Sequence, residues 1–218
     1  RLVDSRNEPS APDTAWTRYR HDPQRSGHYP SDLPSALQVA WQQSIGTDAP
    51  LQPIAAGGRL FVAVKDEHGI CALDADDGQV LWTFTAGGRI DSSPTYSDGA
   101  LVFGCCDGKV YCLDAATGAL CWAYRPGLAN RKHMYFEQIE STHPVHGSVL
   151  VLDGKVFAVS GRSRFVDEGV RLSVLDLQTG SLVNETHLGR FDADSGKDFQ
   201  RFHQGLGMPT ARTDILVQ

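Results

Sequence analysis

Short runs of β-branched, aliphatic and aromatic residues, separated by polar turns, recur along most of this chain. They read as strands rather than helices. A first unit, from about 53 to 85, holds Leu60-Phe61-Val62-Ala63-Val64, Ile70-Cys71-Ala72-Leu73 and Val80-Leu81-Trp82-Thr83-Phe84. A second, from about 93 to 124, repeats that order with Pro94-Thr95-Tyr96, Leu101-Val102-Phe103-Gly104, Val110-Tyr111-Cys112-Leu113 and a last run from 119 to 124. A third, from about 144 to 187, has Val149-Leu150-Val151-Leu152, Val156-Phe157-Ala158-Val159 and Leu172-Ser173-Val174-Leu175, and carries insertions at about 125–143 and 160–169. Val39-Ala40-Trp41-Gln42-Gln43-Ser44-Ile45 alternates as the outer strand of a preceding, or last, unit. Ile215-Leu216-Val217 opens a further unit at about 208–218.

The turn before the last strand of each unit is nearly constant. Leu73-Asp74-Ala75-Asp76-Asp77-Gly78 leads to Trp82, and Leu113-Asp114-Ala115-Ala116-Thr117-Gly118 leads to Trp122, 40 residues later (122 − 82). Leu175-Asp176-Leu177-Gln178-Thr179-Gly180 keeps the turn without the tryptophan. The Asp carboxylates can accept backbone amides just ahead of them, and the glycines supply the positive φ that a short, bulged hairpin needs. The tryptophans, Trp41 included, are placed to lie against the next unit. Self-similarity at this period marks a repeat architecture, because one such unit cannot cover its own apolar face. The expected fold is all-β, with four-stranded antiparallel blades in a propeller: about three full blades and parts of two others.

Residues 1–15 are polar, include Pro9 and Pro12, and read as a linker or tail, which leaves 16–218 as a partial propeller. Composition narrows the function. With 20 Lys+Arg against 26 Asp+Glu and a net charge of −6, there is no basic footprint for nucleic acid. No run approaches the ~18–20 apolar residues of a membrane span. Five cysteines without regular spacing give neither a disulfide framework nor a Cys-x-x-Cys site, and are expected as small buried hydrophobes.

The strand and turn pattern resembles the PQQ-like repeat of quinoprotein-type β-propellers. Three further stretches, Trp16-Thr17-Arg18-Tyr19-Arg20-His21-Asp22, Gln138-Ile139-Glu140-Ser141 with Pro144-Val145-His146-Gly147, and Gly161-Arg162-Ser163-Arg164, resemble a branch found in large multidomain bacterial, planctomycete-like proteins. The resemblance implies a ring of seven or eight blades, completed by the same polypeptide or another chain, and a periplasmic or cell-envelope location. It raises PQQ with calcium as a cofactor pair, an oxidoreductase as one alternative function and an envelope-assembly scaffold as another. No calcium-ligand set or catalytic Asp motif is assignable in this chain, so no cofactor is expected from its residues. Cys105-Cys106 invites comparison with the adjacent-cysteine ring of quinoprotein enzymes, but the repeat places the pair where small residues end a second strand.

Function is therefore sought outside the repeat. The first insertion leads Arg131 and Glu140 toward His146, and the second carries Arg162 and Arg164. These five are the candidate ligand residues, suited to a polar ligand such as a carbohydrate, with the arginines facing an anionic group. The same insertion serves equally as a plug for the central channel. Arg20-His21-Asp22, with Arg25 and His28, fits no zinc or hydrolase spacing and is expected as an ion-paired turn between Arg20 and Asp22. Asp192 to Asp198 has calcium-loop character, but Gly196 is fifth rather than sixth and His203 stands at the twelfth position, so a solvated loop is expected and no metal ligand is assigned. The reading is a binding or interaction module with no catalysis demonstrable from its sequence.

Overall fold

The computed structural model describes residues 15–29, 32, 35–46, 50–65, 67–127, 130–135, 137–192, 194–198 and 216–217. Three four-stranded antiparallel sheets follow one another, each in simple sequential order. The first holds β1 (Ile54–Ala56), β2 (Arg59–Val64), β3 (Gly69–Asp74) and β4 (Val80–Thr85). The second holds β5 (Thr95–Ser97), β6 (Ala100–Gly104), β7 (Val110–Asp114) and β8 (Leu120–Tyr124). A two-stranded hairpin, β9 (Lys132–Tyr135) and β10 (Gln138–Ser141), comes next. The third sheet holds β11 (Leu150–Leu152), β12 (Lys155–Ser160), β13 (Val170–Asp176) and β14 (Leu182–Leu188). No helix occurs among the described residues, so none is long and apolar enough to cross a membrane.

Burial follows strand position. The central β6 and β7 are buried throughout, which is why they read as unbroken apolar runs. The outer β4 and β8 are largely exposed and alternate. One core cluster joins Phe61, Ile70 and Ile90 to Leu101, Phe103 and Leu113, bridging the first two sheets. A second joins Val102 and Cys112 to Val149, Val156 and Leu175, bridging the second and third. No single sheet could bury these residues alone.

The repeated turn joins third strand to fourth. Asp114 Oδ1 accepts the Thr117 amide at 2.9 Å and its hydroxyl at 2.8 Å, and the Gly118 amide closes on the Asp114 carbonyl at 2.8 Å. Asp176 makes the same bonds with Thr179 and Gly180. A register shift follows in all three sheets, at Ala72/Leu73, Cys112/Leu113 and Val174/Leu175. The segment with calcium-loop character has this geometry as well: Asp192 Oδ1 accepts the Ser195 amide and hydroxyl, and the Gly196 amide bonds the Asp192 carbonyl.

Three of the four tryptophans lock onto the next turn. Trp41, Trp82 and Trp122 donate their indole N–H to the carbonyls of Ala75, Ala115 and Leu177 at 3.1, 3.2 and 2.9 Å. Their rings cover Gly78, Gly118 and Gly180, where an added Cβ would stand 2.5 to 2.6 Å from ring carbons. These glycines answer two demands, a φ near +70° (74°, 73° and 68°) and room for an indole face. The rings are only half-buried rather than enclosed, with one edge to solvent. Residues 39–45, expected as an outer strand, form no ladder. Extended backbone becomes a strand only beside a partner, and no described strand flanks them.

The entry segment, which runs from Trp16 toward the first sheet, crosses the first strand of each sheet, β1, β5 and β11. Trp16 bridges Ala55, the Thr17 carbonyl accepts the Tyr96 amide, and Arg18 donates to Val151 O at 3.0 Å. The expected Arg20–Asp22 pair is not what fastens it. Arg20 is exposed, and Asp22 is engaged by the amide and hydroxyl of Ser26. Arg25 does the fastening from a buried position, donating to Tyr19 O at 2.8 Å, Leu216 O at 3.0 Å and Val149 O at 3.3 Å. Its planar five-donor fork reaches three carbonyls that a lone ammonium could not. Of the tail expected at 1–15 only Ala15, and of the further unit expected at 208–218 only Leu216 and Val217, fall among the described residues. The residue order also reads as a polar loop over 189–206, and its end, 199–206, lies outside the described residues.

Candidate functional site

Antiparallel strands turn alternately at the two ends of a sheet. The second-to-third-strand loops and the links between sheets therefore share one end, opposite the Asp-Gly turns. This end gathers Lys65, Glu67 and His68, Ala86 to Pro94, Cys105 to Lys109, the described residues between 125 and 149, and Gly161 to Gly169. Backbone bonds stitch these loops together: Cys106 N to Arg89 O and Ser141 N to Cys106 O, both at 2.8 Å, Val145 N to Cys105 O at 3.1 Å and Gly161 N to Pro144 O at 3.0 Å.

At their centre is Glu140, whose side chain is fully buried. Arg162 Nη2 bonds its Oε2, and Arg89 Nη2 lies 3.0 Å from its Oε1, off the hydrogen-bonding direction. Arg89 also grips Asp91, Nε to Oδ1 at 2.8 Å and Nη2 to Oδ2 at 3.1 Å. Lys65 Nζ stands 3.8 Å from Asp91 Oδ1. Asp91 Oδ2 meets two more groups, the Cys106 thiol at 3.1 Å and His146 Nδ1 at 3.0 Å, and these two are 3.4 Å apart. Burial alone would raise the Asp91 carboxyl, but hydrogen bonds from His146, Arg89 and Cys106 outweigh it and hold it well below the carboxylate range. Burial, reinforced by the Asp91 charge, pushes the Cys106 thiol far up.

The first insertion is a hairpin rather than a loop, and its faces are inverted. Register pairs Gln138 with Tyr135, Ile139 with Met134 and Glu140 with His133. Alternation puts Tyr135, Gln138 and Glu140 on the inner face. There Tyr135 lies under the Arg162 guanidinium at 4.2 Å, and Gln138 Oε1 meets His68 Nε2 at 3.0 Å. Met134 and Ile139 share the outer face, 75% and 61% exposed.

Of the five candidate ligand residues, Glu140, His146 and Arg162 converge in this network. Arg131 instead pairs with Glu168 at the exposed rim, and Arg164 donates to Gly189 O at 3.2 Å. Sequence reasoning missed Arg89, Asp91 and Cys106. They lie in an ordinary inter-sheet link and a short turn, not in an insertion. The alternation of strand ends was the signal that could have found them.

All five cysteines are free, four of them buried and Cys121 half-buried. Cys105 and Cys106 are inside, just past β6, but Cys106 is not the inert filler expected. Its sulfur has polar partners because the turn aims it into the inter-sheet link. A calcium–quinone pair does not fit this residue set. Calcium seeks six to eight oxygens, whereas here the two carboxylates are already held by arginines and the other donors are a thiol and an imidazole.

Sequential four-stranded sheets, tryptophan locks and a charged end built from inter-sheet loops define a β-propeller of the PQQ-like repeat class. Residues 36–199 match the PQQ_2 family model, described as outer membrane protein assembly factor BamB, and the chain belongs to that family. It is 40% identical over 77 residues to BamB of Shewanella oneidensis, covering 35% of this chain and 19% of that protein. It is 27% identical to the dehydrogenase subunit of an alcohol dehydrogenase (quinone) from Gluconobacter oxydans, over 67% of this chain and 20% of the relative. Among solved structures, a quinohemoprotein alcohol dehydrogenase from Pseudomonas putida superposes with a TM-score of 0.65 at 18% identity, over 80% of this chain and 27% of that one. A europium-containing methanol dehydrogenase gives 0.63 at 20% identity, over 88% and 35%. These likenesses carry the fold. The chain spans about a fifth of the length of the two curated relatives named.

Proposed function

We propose that this chain is the binding part of a PQQ-like propeller, receiving a partner at the loop end around Glu140, within a larger protein of the bacterial cell envelope. The observation that carries the reading is the inverted β9–β10 hairpin. Surface hairpins ordinarily turn apolar residues inward; this one spends its inner face on the Arg89–Glu140–Arg162 network and shows Met134 and Ile139 to solvent. An apolar pair ringed by charge suits a polypeptide partner, and the rest of the propeller is the first candidate to lie beside it. The relatives named as assembly factors are consistent with that use.

The test is site-specific photocrosslinking from position 134 in the full-length protein, with the double variant Met134→Glu/Ile139→Glu alongside. A discrete crosslinked species, lost in the double variant while folding is retained, is expected. Absence of any crosslink, with unchanged behaviour of the variant, would refute partner docking here. The oxidoreductase alternative rests on the quinone-dependent relatives alone. Calorimetric titration of the full-length protein with PQQ and calcium tests it directly.

A further inference from the structure

Three donor atoms from three separate loops meet at one point: Asp91 Oδ2, Cys106 Sγ and His146 Nδ1, separated by 3.0, 3.1 and 3.4 Å. A tetrahedral zinc with bonds of about 2.0–2.1 Å to nitrogen, 2.0–2.2 Å to oxygen and 2.3 Å to sulfur requires donor separations of about 3.3–3.6 Å. The trio is one face of such a tetrahedron, drawn in by a few tenths of an ångström. We propose that Asp91, Cys106 and His146 form a binding site for a single divalent ion of the zinc class, with the fourth position open.

The donor chemistry selects the ion. On binding, the ion displaces the Cys106 thiol proton to solvent and leaves the imidazole proton on Nε2; the resulting thiolate, imidazole and carboxylate are borderline-soft ligands that suit zinc and cobalt and suit calcium or magnesium poorly. The loops are cross-bonded before any ion arrives: the Cys106 amide bonds Arg89 O, and Ser92 Oγ bonds Gly147 O beside His146 at 3.1 Å. Arg89 holds the Asp91 carboxylate as a fork, Nε to Oδ1 at 2.8 Å and Nη2 to Oδ2 at 3.1 Å, and so fixes Oδ2 beside the other two donors, the support that ligating carboxylates ordinarily receive. Positive charge is the opposing force. Lys65 and Arg89 face Asp91 directly, and Arg162 stands behind Glu140, whose carboxylate offsets one of the three. The bonds from sulfur and nitrogen outweigh that field. The Cys106 side is closed, whereas His146 and Asp91 keep 16% and 10% of their side-chain surface exposed. Entry and the fourth ligand, a water, therefore lie on their side.

The inference is independent of partner docking at Met134 and Ile139. The test is titration of chelator-treated, reduced full-length protein with cobalt(II). Expected are visible d–d bands of a tetrahedral ion and a near-ultraviolet sulfur-to-cobalt charge-transfer band, saturating at one equivalent and abolished by zinc. Cys106→Ala should remove the charge-transfer band, and His146→Ala should weaken binding at least tenfold. Cys121→Ser, which alters the half-buried thiol elsewhere, should change neither. Cys106→His keeps a donor at the position, and should bind cobalt without the sulfur band even if Cys106→Ala folds poorly. No charge-transfer band in the parent protein, or a band that survives in Cys106→Ala, would overturn the site. Either result leaves the crosslinking outcome at position 134 unaffected.

Discussion

The lock between Trp82 and Gly118 yields a quantitative prediction. Gly118 sits at φ +73° with Trp82 Cδ2 and Cε3 both 2.6 Å from where a Cβ would stand, and its three nearest neighbours are all Trp82 atoms. Gly118→Ala therefore carries two costs. A left-handed conformation costs a non-glycine residue about 1–2 kcal/mol, and forcing the indole aside adds about 1–3 kcal/mol of overpacking. The total is about 2–5 kcal/mol. Gly154→Ala separates the two, because Gly154 has φ +69° with nothing within 4 Å of the added Cβ. It should cost only the first about 1–2 kcal/mol. In a Trp82→Ala background Gly118→Ala should also fall to that value, a coupling of about 1–3 kcal/mol. Trp82→Ala itself should cost about 2–3 kcal/mol, below the about 3–5 kcal/mol of an enclosed tryptophan, since its ring is half-buried. Urea unfolding followed by circular dichroism measures all four. Equal losses for Gly118→Ala and Gly154→Ala, or an additive double variant, would refute the reasoning.

Other substitutions test the remaining structure. Arg25→Met should cost about 2–4 kcal/mol in denaturant unfolding by stranding three carbonyls, whereas Arg20→Ala at the exposed position should stay within about 0.5 kcal/mol. Glu140→Gln should lose about 3–5 kcal/mol, because it leaves Arg89 and Arg162 facing each other without the buried carboxylate. Arg162→Ala should therefore destabilise too, unlike a residue reserved for a ligand. Asp176 is held below the ordinary carboxylate range by hydrogen bonds from Thr179 and Gln178. Its contribution to stability is thus present above the unfolded value of about 3.9 and is lost as pH falls through the lower folded value. The stability gap between the parent and Asp176→Asn should close on acidification; a gap that widens in acid would contradict the sign.

Much of this arrangement is legible in the chain because it is local. Asp at the start of a turn and Gly four residues on bond each other within one hairpin, so Asp114 with Gly118 and Asp176 with Gly180 announce their geometry wherever they occur. A 40-residue spacing of Trp82 and Trp122 announces stacking, since only a neighbouring copy can receive each indole. The candidate site is half legible. Glu140 and Arg162 stand in insertions that break the repeat and His146 just after the first, and a broken repeat draws attention. Arg89, Asp91 and Cys106 stand in segments of ordinary length, where only the alternation of strand ends marks them, and that places a segment at one end of a sheet without distinguishing a site residue from a solvated one.

By itself, then, the sequence determined the β-architecture, the period, the turns and the tryptophans of the first two outer strands. Short-range bonds and side-chain alternation decide those. Only the tertiary structure decided that Arg25 rather than Arg20 fastens the entry segment, that an insertion is a hairpin with its apolar face outward, and that Asp91, Cys106 and His146 meet. Residues 15, 40 and 55 positions apart (106 − 91, 146 − 106, 146 − 91) become neighbours only when alternate strand ends are brought to one side of adjacent sheets. Coulomb and donor forces act over a few ångströms of space, and the chain order carries no record of that distance until the blades pack.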